Sequence, residues 1–332
     1  MNGAAVRTGS LASMEGLVRR FGSTLALNEL SLDVVEGSVC GLLGPNGSGK
    51  TTAIRALLGL TRVNSGRSSL LGASTGSRGF AAAVRQTGAL IEGPSLYGRT
   101  TARRNMQIQA KARGLKNADP EIDRLLELVG LSARANSNTR GFSMGMKQRL
   151  GLAIALLGNP RLVILDEPTN GLDPAGIVEM RELIKRLPES GVTVLVSSHL
   201  LAEVELMCDR ATIINRGEVV ADGTMAEILS QAGVKGGYRV RVASEEVDAA
   251  AAALHEVGLG VGLVESRDLP PEAPIRELAI TGPVEDGSQI NVLLAGAGVY
   301  VSELRRDNPD LESVFLTLTG GPDGSGRMRD VG

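Results

Sequence analysis

The segment Gly44-Pro45-Asn46-Gly47-Ser48-Gly49-Lys50-Thr51-Thr52 decides how this chain is read. It satisfies G-x-x-x-x-G-K-[ST], the pattern of a loop that cradles nucleoside phosphates between a strand and a helix. Gly44, Gly47 and Gly49 let the backbone curl at positive φ and approach a bulky anion. After Pro45, which has no N–H of its own, the successive N–H groups of Asn46, Gly47, Ser48 and Gly49 then form an anion nest at the positive end of the following helix. Lys50 offers a full charge to the β- and γ-phosphates, and the Thr51 hydroxyl, with Thr52 behind it, is placed for Mg²⁺. The flanks agree. Ser38 to Leu43 is a short apolar run that predicts a buried parallel strand, and Ala53 to Leu60 has the apolar spacing of a core-facing helix.

Two downstream strands complete the chemistry. Leu162-Val163-Ile164-Leu165 predicts a strand buried on both faces, ending in Asp166-Glu167-Pro168. Open α/β sheets take ligands at the carboxyl ends of their strands. Asp166 there is expected to hold Mg²⁺ with Thr51, and Glu167 to polarise the attacking water. Val192 to His199 predicts a neighbouring strand, with His199 expected at the γ-phosphate; a purely structural histidine is the alternative. Phe21, just upstream of the loop, suits stacking on adenine, with an ordinary core position as its alternative.

The 332 residues predict two domains, and 42% hydrophobic content is ample for their cores. A net charge of −2 argues against a nucleic-acid partner. Cys40 and Cys208 lack metal-ligand spacing and read as core thiols of a reducing compartment. No run of about 18 uncharged apolar residues is present to span a bilayer. Residues 1–14 are expected to form a disordered leader without a secretory h-region, so the chain reads as cytoplasmic. Leu17 to Phe21 and Leu25 to Val35 predict antiparallel strands, and residues 94–160 change to an amphipathic helical texture. Inside that stretch Gly141-Phe142-Ser143-Met144-Gly145-Met146-Lys147 opens a helix. Ser143 is a natural N-cap there, and Gly145 permits close backbone approach; the start is either plain structure or a second phosphate site.

These motifs, in this order and spacing over about residues 15–228, resemble the ATP-binding cassette (ABC) ATPases. Gly44 to Thr51 looks like Walker A, Leu162 to Asp166 like Walker B and Glu167 like the catalytic glutamate. Ser143 to Lys147 resembles the signature loop, with Phe142, Met144 and Met146 departing from the usual residues. Asp173 resembles the D-loop aspartate, His199 the switch histidine and Phe21 the adenine-stacking aromatic. Glu92 stands where the family usually has the Q-loop glutamine, and is expected at Mg²⁺ or its water. The Ile91-Glu92-Gly93-Pro94 variant, the Met-rich signature and the tail resemble the bacitracin and daunorubicin type of bacterial resistance exporters.

The resemblance implies a P-loop α/β fold with an N-terminal antiparallel β-subdomain and a helical insertion. It implies an ATP hydrolase using ATP and Mg²⁺. Two copies would meet head to tail, each ATP lying between Lys50 of one and Ser143, Gly145 and Asp173 of the other. A separate transmembrane permease would hold the subunit peripherally on the cytoplasmic face of the membrane. An importer subunit, or a soluble cassette acting on nucleic acid or ribosomes, is the alternative. The expected division is a nucleotide-binding domain over 15–232, with its helical subdomain at about 94–160, then an accessory α+β domain over 238–319 and a disordered tail over 320–332. The accessory domain reads β-α-β-β-α-β from Tyr238 to Leu304, the order of a ferredoxin-like module, followed by a helix at Leu311 to Leu318.

Overall fold

In the computed structural model the described residues are 9–231, 237–264, 273–282, 284, 286–307, 311, 314–315 and 329–330. The chain divides into two units, Met1–Ile228 and Leu229–Gly332. In the first, β1 (Ser10–Phe21) and β2 (Thr24–Val35) form an antiparallel hairpin. β3 (Val39–Leu43) then leads into the glycine loop and α1 (Lys50–Leu57). β4 (Ser65–Leu70) and β5 (Ala73–Ser74) return to the first sheet, whose order is β2-β1-β4-β5.

Residues 10–14 correct the expected leader. Leu11, Ala12 and Met14 are buried in β1, opposite Val34 and Leu32 of β2 and Leu70 and Ser68 of β4. Short side chains at Ala12 and Ser13 mute the apolar alternation, and burial there is conferred by partner strands distant in sequence.

The second sheet carries the site. α2 (Phe80–Arg85) and β6 (Thr87–Leu90) are followed by α3 (Ala102–Ala112), α4 (Asp119–Leu128) and α5 (Met144–Ala155), which lie within the stretch expected to be helical. These three helices pack on one another, and Met106, Ile122, Leu125 and Leu150 on them are buried. Thr101 and Ser143 cap α3 and α5 by accepting from the N–H groups of Arg104 and Met146. β7 (Leu162–Asp166), α6 (Pro174–Arg186), β8 (Thr193–Ser198), α7 (Leu201–Glu205), β9 (Arg210–Asn215), β10 (Glu218–Thr224) and α8 (Met225–Gln231) complete the unit.

The six-stranded order is β10-β9-β3-β8-β7-β6, parallel except for β10 at the edge. Every residue of β3, β7 and β8 is buried, as central parallel strands require. Leu17, Leu27 and Leu30 of the first sheet join Leu42, Ile54, Leu57 and Ile164 in one core. Truncating Leu42 or Ile54 to Ala there costs about 2–5 kcal/mol. Cys40 and Cys208 are free, buried thiols, and burial raises both above the usual thiol range.

In the second unit, β11 (Gly237–Ala243), α9 (Val247–Glu256), β12 (Gly260–Val264), β13 (Ile275–Thr281), α10 (Gly287–Gly296) and β14 (Glu303–Asp307) follow the β-α-β-β-α-β order. The sheet order β14-β11-β13-β12, antiparallel at each of these pairings, is that of the ferredoxin-like module. The last strand starts at Glu303, later than the expected Val299. Val299 is instead buried in the unit's core with Leu254, Leu278 and Leu294. Helical structure is described at Leu311, Val314 and Phe315, the rest of the expected terminal helix lying outside the described residues. β15 (Arg329–Asp330) pairs with β12 inside the expected tail; residues 320–328 and 331–332 are outside the description, as is the expected linker at 233–237 except for Gly237, which opens β11.

Candidate active site

β3, β8 and β7 are adjacent and parallel, so the segments leaving their carboxyl ends converge at one end of the sheet. These segments are the glycine loop, Ser197–His199 and Asp166–Glu167. The loop is shaped by glycine where no other residue fits. At Gly44, with φ +154°, a Cβ would fall 2.2 Å from the Ile214 carbonyl oxygen. At Gly49, with φ +111°, it would fall 2.6 Å from the carbonyl oxygen of Ala26 in β2. Gly49 is also the N-cap of α1 and brings no side chain to its first-turn N–H groups.

Lys50 is 6% exposed, and its ammonium donates to the carbonyls of Gly44 at 2.7 Å and Pro45 at 3.2 Å. It also pairs with Glu167 Oε1 at 3.1 Å. The other Glu167 oxygen lies 2.7 Å from His199 Nδ1, so residues from three strand ends meet at one carboxylate. Glu167 itself has φ +50°, a left-handed backbone rare outside glycine. The Thr51 hydroxyl donates to Asp166 Oδ2 at 2.9 Å. Asp166 Oδ1 accepts from Ser197 Oγ at 2.5 Å, and the same hydroxyl accepts from the Glu167 N–H at 2.9 Å.

A cleft of about 490 Å³ opens beside these groups, with Thr51, Glu92, Asp166, Glu167, Lys147 and Gln148 among its walls. Glu92, at φ +56°, lines it with its carboxylate bonded to Arg55 of α1. Phe21 ends β1 half exposed, with the Arg19 guanidinium 4.2 Å over one face of its ring, so it is not a core residue. Ser143 and Asp173 are exposed N-caps of α5 and α6, and Asp173 accepts from the Gly176 N–H. A Cβ at Gly145 would lie 3.8 Å from the Leu172 side chain, so the signature loop and the Asp173 turn are neighbours. Ser143, Gly145 and Asp173 do not line the cleft and make no bond to Lys50 or Glu167.

The residues fit a nucleotide. Ser48 Oγ is buried in the loop without a hydrogen-bond partner, an unmet polar group that a phosphate oxygen satisfies. Among the described residues no three His, Cys, Asp or Glu side chains converge as a metal cage. Thr51 and Asp166 are hard oxygen donors whose remaining partners would be phosphate oxygens and water, the manner in which Mg²⁺ is usually held. Ser197 was not singled out in the sequence. Its only signal there is the pair of serines before His199, which means nothing until β8 is laid beside β7.

Comparison with known proteins gives one answer. Residues 27–170 match the ABC transporter family. An uncharacterised ABC transporter ATP-binding protein of Bacillus subtilis, YdbJ, is 46% identical over 63% of this chain and 68% of its own length. The bacitracin transport ATP-binding protein BcrA of Bacillus licheniformis is 44% identical over 62% of this chain and 67% of its own length. The daunorubicin resistance ATP-binding protein DrrA3 of Streptomyces coeruleorubidus is 33% identical over 93% of this chain and 95% of its own. A solved ATP-binding subunit of an ABC transporter superposes with a TM-score of 0.61 at 33% identity, covering 68% of this chain and 94% of that one. The chain therefore belongs to the ATP-binding proteins of ABC transporters, subunits that bind and hydrolyse ATP.

Proposed function

We propose that this chain powers export of a drug, antibiotic or peptide through a separate membrane permease. The observation that carries the catalytic part is the meeting of Lys50, Glu167 and His199 beside Thr51 and Asp166. What supports export is the likeness to the bacitracin and daunorubicin proteins, the latter extending across both units. Among the described residues no helix is long and apolar enough to cross a membrane, which suits a subunit that works with a membrane partner.

ATP is the substrate. Its phosphates lie on the N–H groups of the Gly44–Gly49 loop, Ser48 Oγ and Lys50, with adenine against the open face of Phe21. Thr51 and Asp166 would hold Mg²⁺, which when bound would neutralise charge on the phosphates. Lys50 shifts from Glu167 to the phosphates, leaving Glu167 as the general base for water. His199 orients that carboxylate and reaches the γ-phosphate. Glu92, if released from Arg55, would be free to meet the water shell of a bound metal.

Two chains meet head to tail, and Ser143, Gly145 and Asp173 of one cover the nucleotide of the other. Ser143 and Asp173 are exposed and make no bond to Lys50 of the same chain, which favours such a shared site. The domain division is a nucleotide-binding part to about residue 232 and an accessory part from 238. The permease docks near Glu92 to Arg104 and keeps the subunit on the cytoplasmic face of the membrane.

The test is affinity purification from native membranes, with and without MgATP, in the natural chain and in Glu167→Gln. A protein with several membrane spans, co-eluting in proportion to this chain, is the expected result. Co-elution of ribosomes or nucleic acid, or of no membrane partner, overturns the transporter reading.

A further inference from the structure

We propose that Ser197 is a positioning residue for ATP hydrolysis, its hydroxyl locking the Asp166 carboxylate and the Glu167 backbone together. The inference rests on the roles proposed above for Asp166 and Glu167.

The argument starts from register. β7 and β8 pair in parallel with Asp166 beside Ser197, and Ser197 is fully buried while Asp166 is 4% exposed. A serine hydroxyl has one proton to give and lone pairs to receive. Here the proton goes to Asp166 Oδ1 at 2.5 Å, a separation typical of hydroxyl-to-carboxylate bonds. A lone pair takes the Glu167 N–H at 2.9 Å. Thr51 bonds the other Asp166 oxygen, so both oxygens are held and the carboxylate cannot rotate about its own axis.

The second bond acts on the strained residue. Glu167 sits at φ +50°, a conformation that costs a non-glycine residue and persists only where its surroundings enforce it. The N–H anchor to Ser197 lies on the central strand β8, which is buried throughout. From that backbone the Glu167 side chain reaches Lys50 and His199. One hydroxyl therefore sets both the metal-side carboxylate and the direction of the base. Its neighbour Ser198 faces the other side of the strand and accepts from the Leu200 N–H, a local bond at the strand end. Alanine at 197 would leave a buried carboxylate oxygen and the Glu167 N–H each short of a partner.

The experiment measures steady-state ATP hydrolysis, Mg²⁺ dependence and Mg²⁺-free ATP binding on the full chain carrying Ser197→Ala or Ser197→Thr. Ser197→Ala is expected to lose about 10- to 100-fold in kcat and to need more Mg²⁺ for half-maximal rate. Its Mg²⁺-free ATP affinity should stay within about threefold of the natural chain, because the loop and Lys50 are untouched. Ser197→Thr, which keeps the hydroxyl and suits a strand, should recover most of the rate. An unchanged kcat and Mg²⁺ dependence in Ser197→Ala overturns the proposal. So does a parallel loss of kcat and Mg²⁺-free ATP affinity that threonine fails to rescue, which is what general core damage produces. Glu167→Gln separates the two readings. If it is inactive while Ser197→Ala is normal, only the Ser197 role falls; if it hydrolyses ATP normally, the assignment of Glu167 falls first.

Discussion

Each unit of this protein contains a cluster of charges built around a buried carboxylate, and the two are made differently. In the second unit Glu277 is 1% exposed and is bonded by Arg239, Arg241 and Arg305. Those arginines also pair with Asp307 and Glu303, so among the described residues three guanidinium groups face three carboxylates across β11, β13 and β14. Arg239 and Arg305 are direct cross-strand neighbours, a repulsive pairing that the shared Glu277 relieves. Burial pushes the Glu277 carboxyl up, and the bonds from Arg239, Arg241 and Arg305 outweigh it, leaving it below its usual range.

In the first unit Glu167 meets one lysine and one histidine, the adjacent Asp166 is bonded by the hydroxyls of Thr51 and Ser197, and the buried Ser48 hydroxyl of the glycine loop has no partner. Among the described residues the second-unit cluster sets three guanidinium groups against three carboxylates. The first-unit cluster lies instead beside an open cleft. Charge left uncompensated at strand ends is what separates a working site from a structural network of the same residue types.

The largest test of that contrast is Glu167→Gln. It should keep ATP binding and lower kcat by about 10²- to 10⁴-fold, the usual weight of a general base. Turnover at the natural rate would place the first-unit cluster alongside the structural one. Next comes Glu277→Ala, which leaves three arginines short of their common partner and should cost the second unit about 3 kcal/mol. Hydrogen exchange at the β11 and β13 amides should rise while ATP binding by the first unit is retained. Exchange unchanged from the natural chain would break the claim that this network is structural.

A third test uses pH. The folded Glu277 pKa lies below its unfolded value, so its contribution is complete above the ordinary value of 4.5 and is lost as pH falls through the lower, folded pKa. Protection of β11 and β13 should therefore drop in acid below that value, and the drop should be absent in Glu277→Gln. The smallest effect is expected from Arg55→Ala. The Arg55–Glu92 pair is largely exposed, so its removal should change stability by no more than about 1 kcal/mol. Its use lies in the Mg²⁺ dependence of hydrolysis, which should shift if Glu92 is held away from the metal by Arg55, and should not if the pair is only a surface contact.

Much of the nucleotide site is legible in the chain. The loop from Gly44 to Thr52, the acidic pair after an aliphatic run and His199 after another each announce a strand end carrying chemistry. Glu92 is legible as a departure from a pattern, but its partner Arg55 is not, because helix α1 and the segment after β6 become neighbours only in the fold. Residues 10–14 were misread for a related reason. Their burial comes from β2 and β4, and short side chains such as Ala12 and Ser13 carry little apolar signal of their own.

By itself the amino-acid order determined which local pieces exist: a glycine-rich turn before a helix, buried strands ending in Asp166-Glu167 and His199, and a β-α-β-β-α-β run. These depend on backbone freedom, apolar periodicity and side-chain chemistry over a few adjacent residues. Only the tertiary structure decided that Lys50 reaches Glu167, that Ser197 lies beside Asp166, and that three arginines share Glu277. Each of those bonds joins strands or helices far apart in sequence. Their geometry is set by strand order and register, where a shift of one residue would turn every side chain to the opposite face.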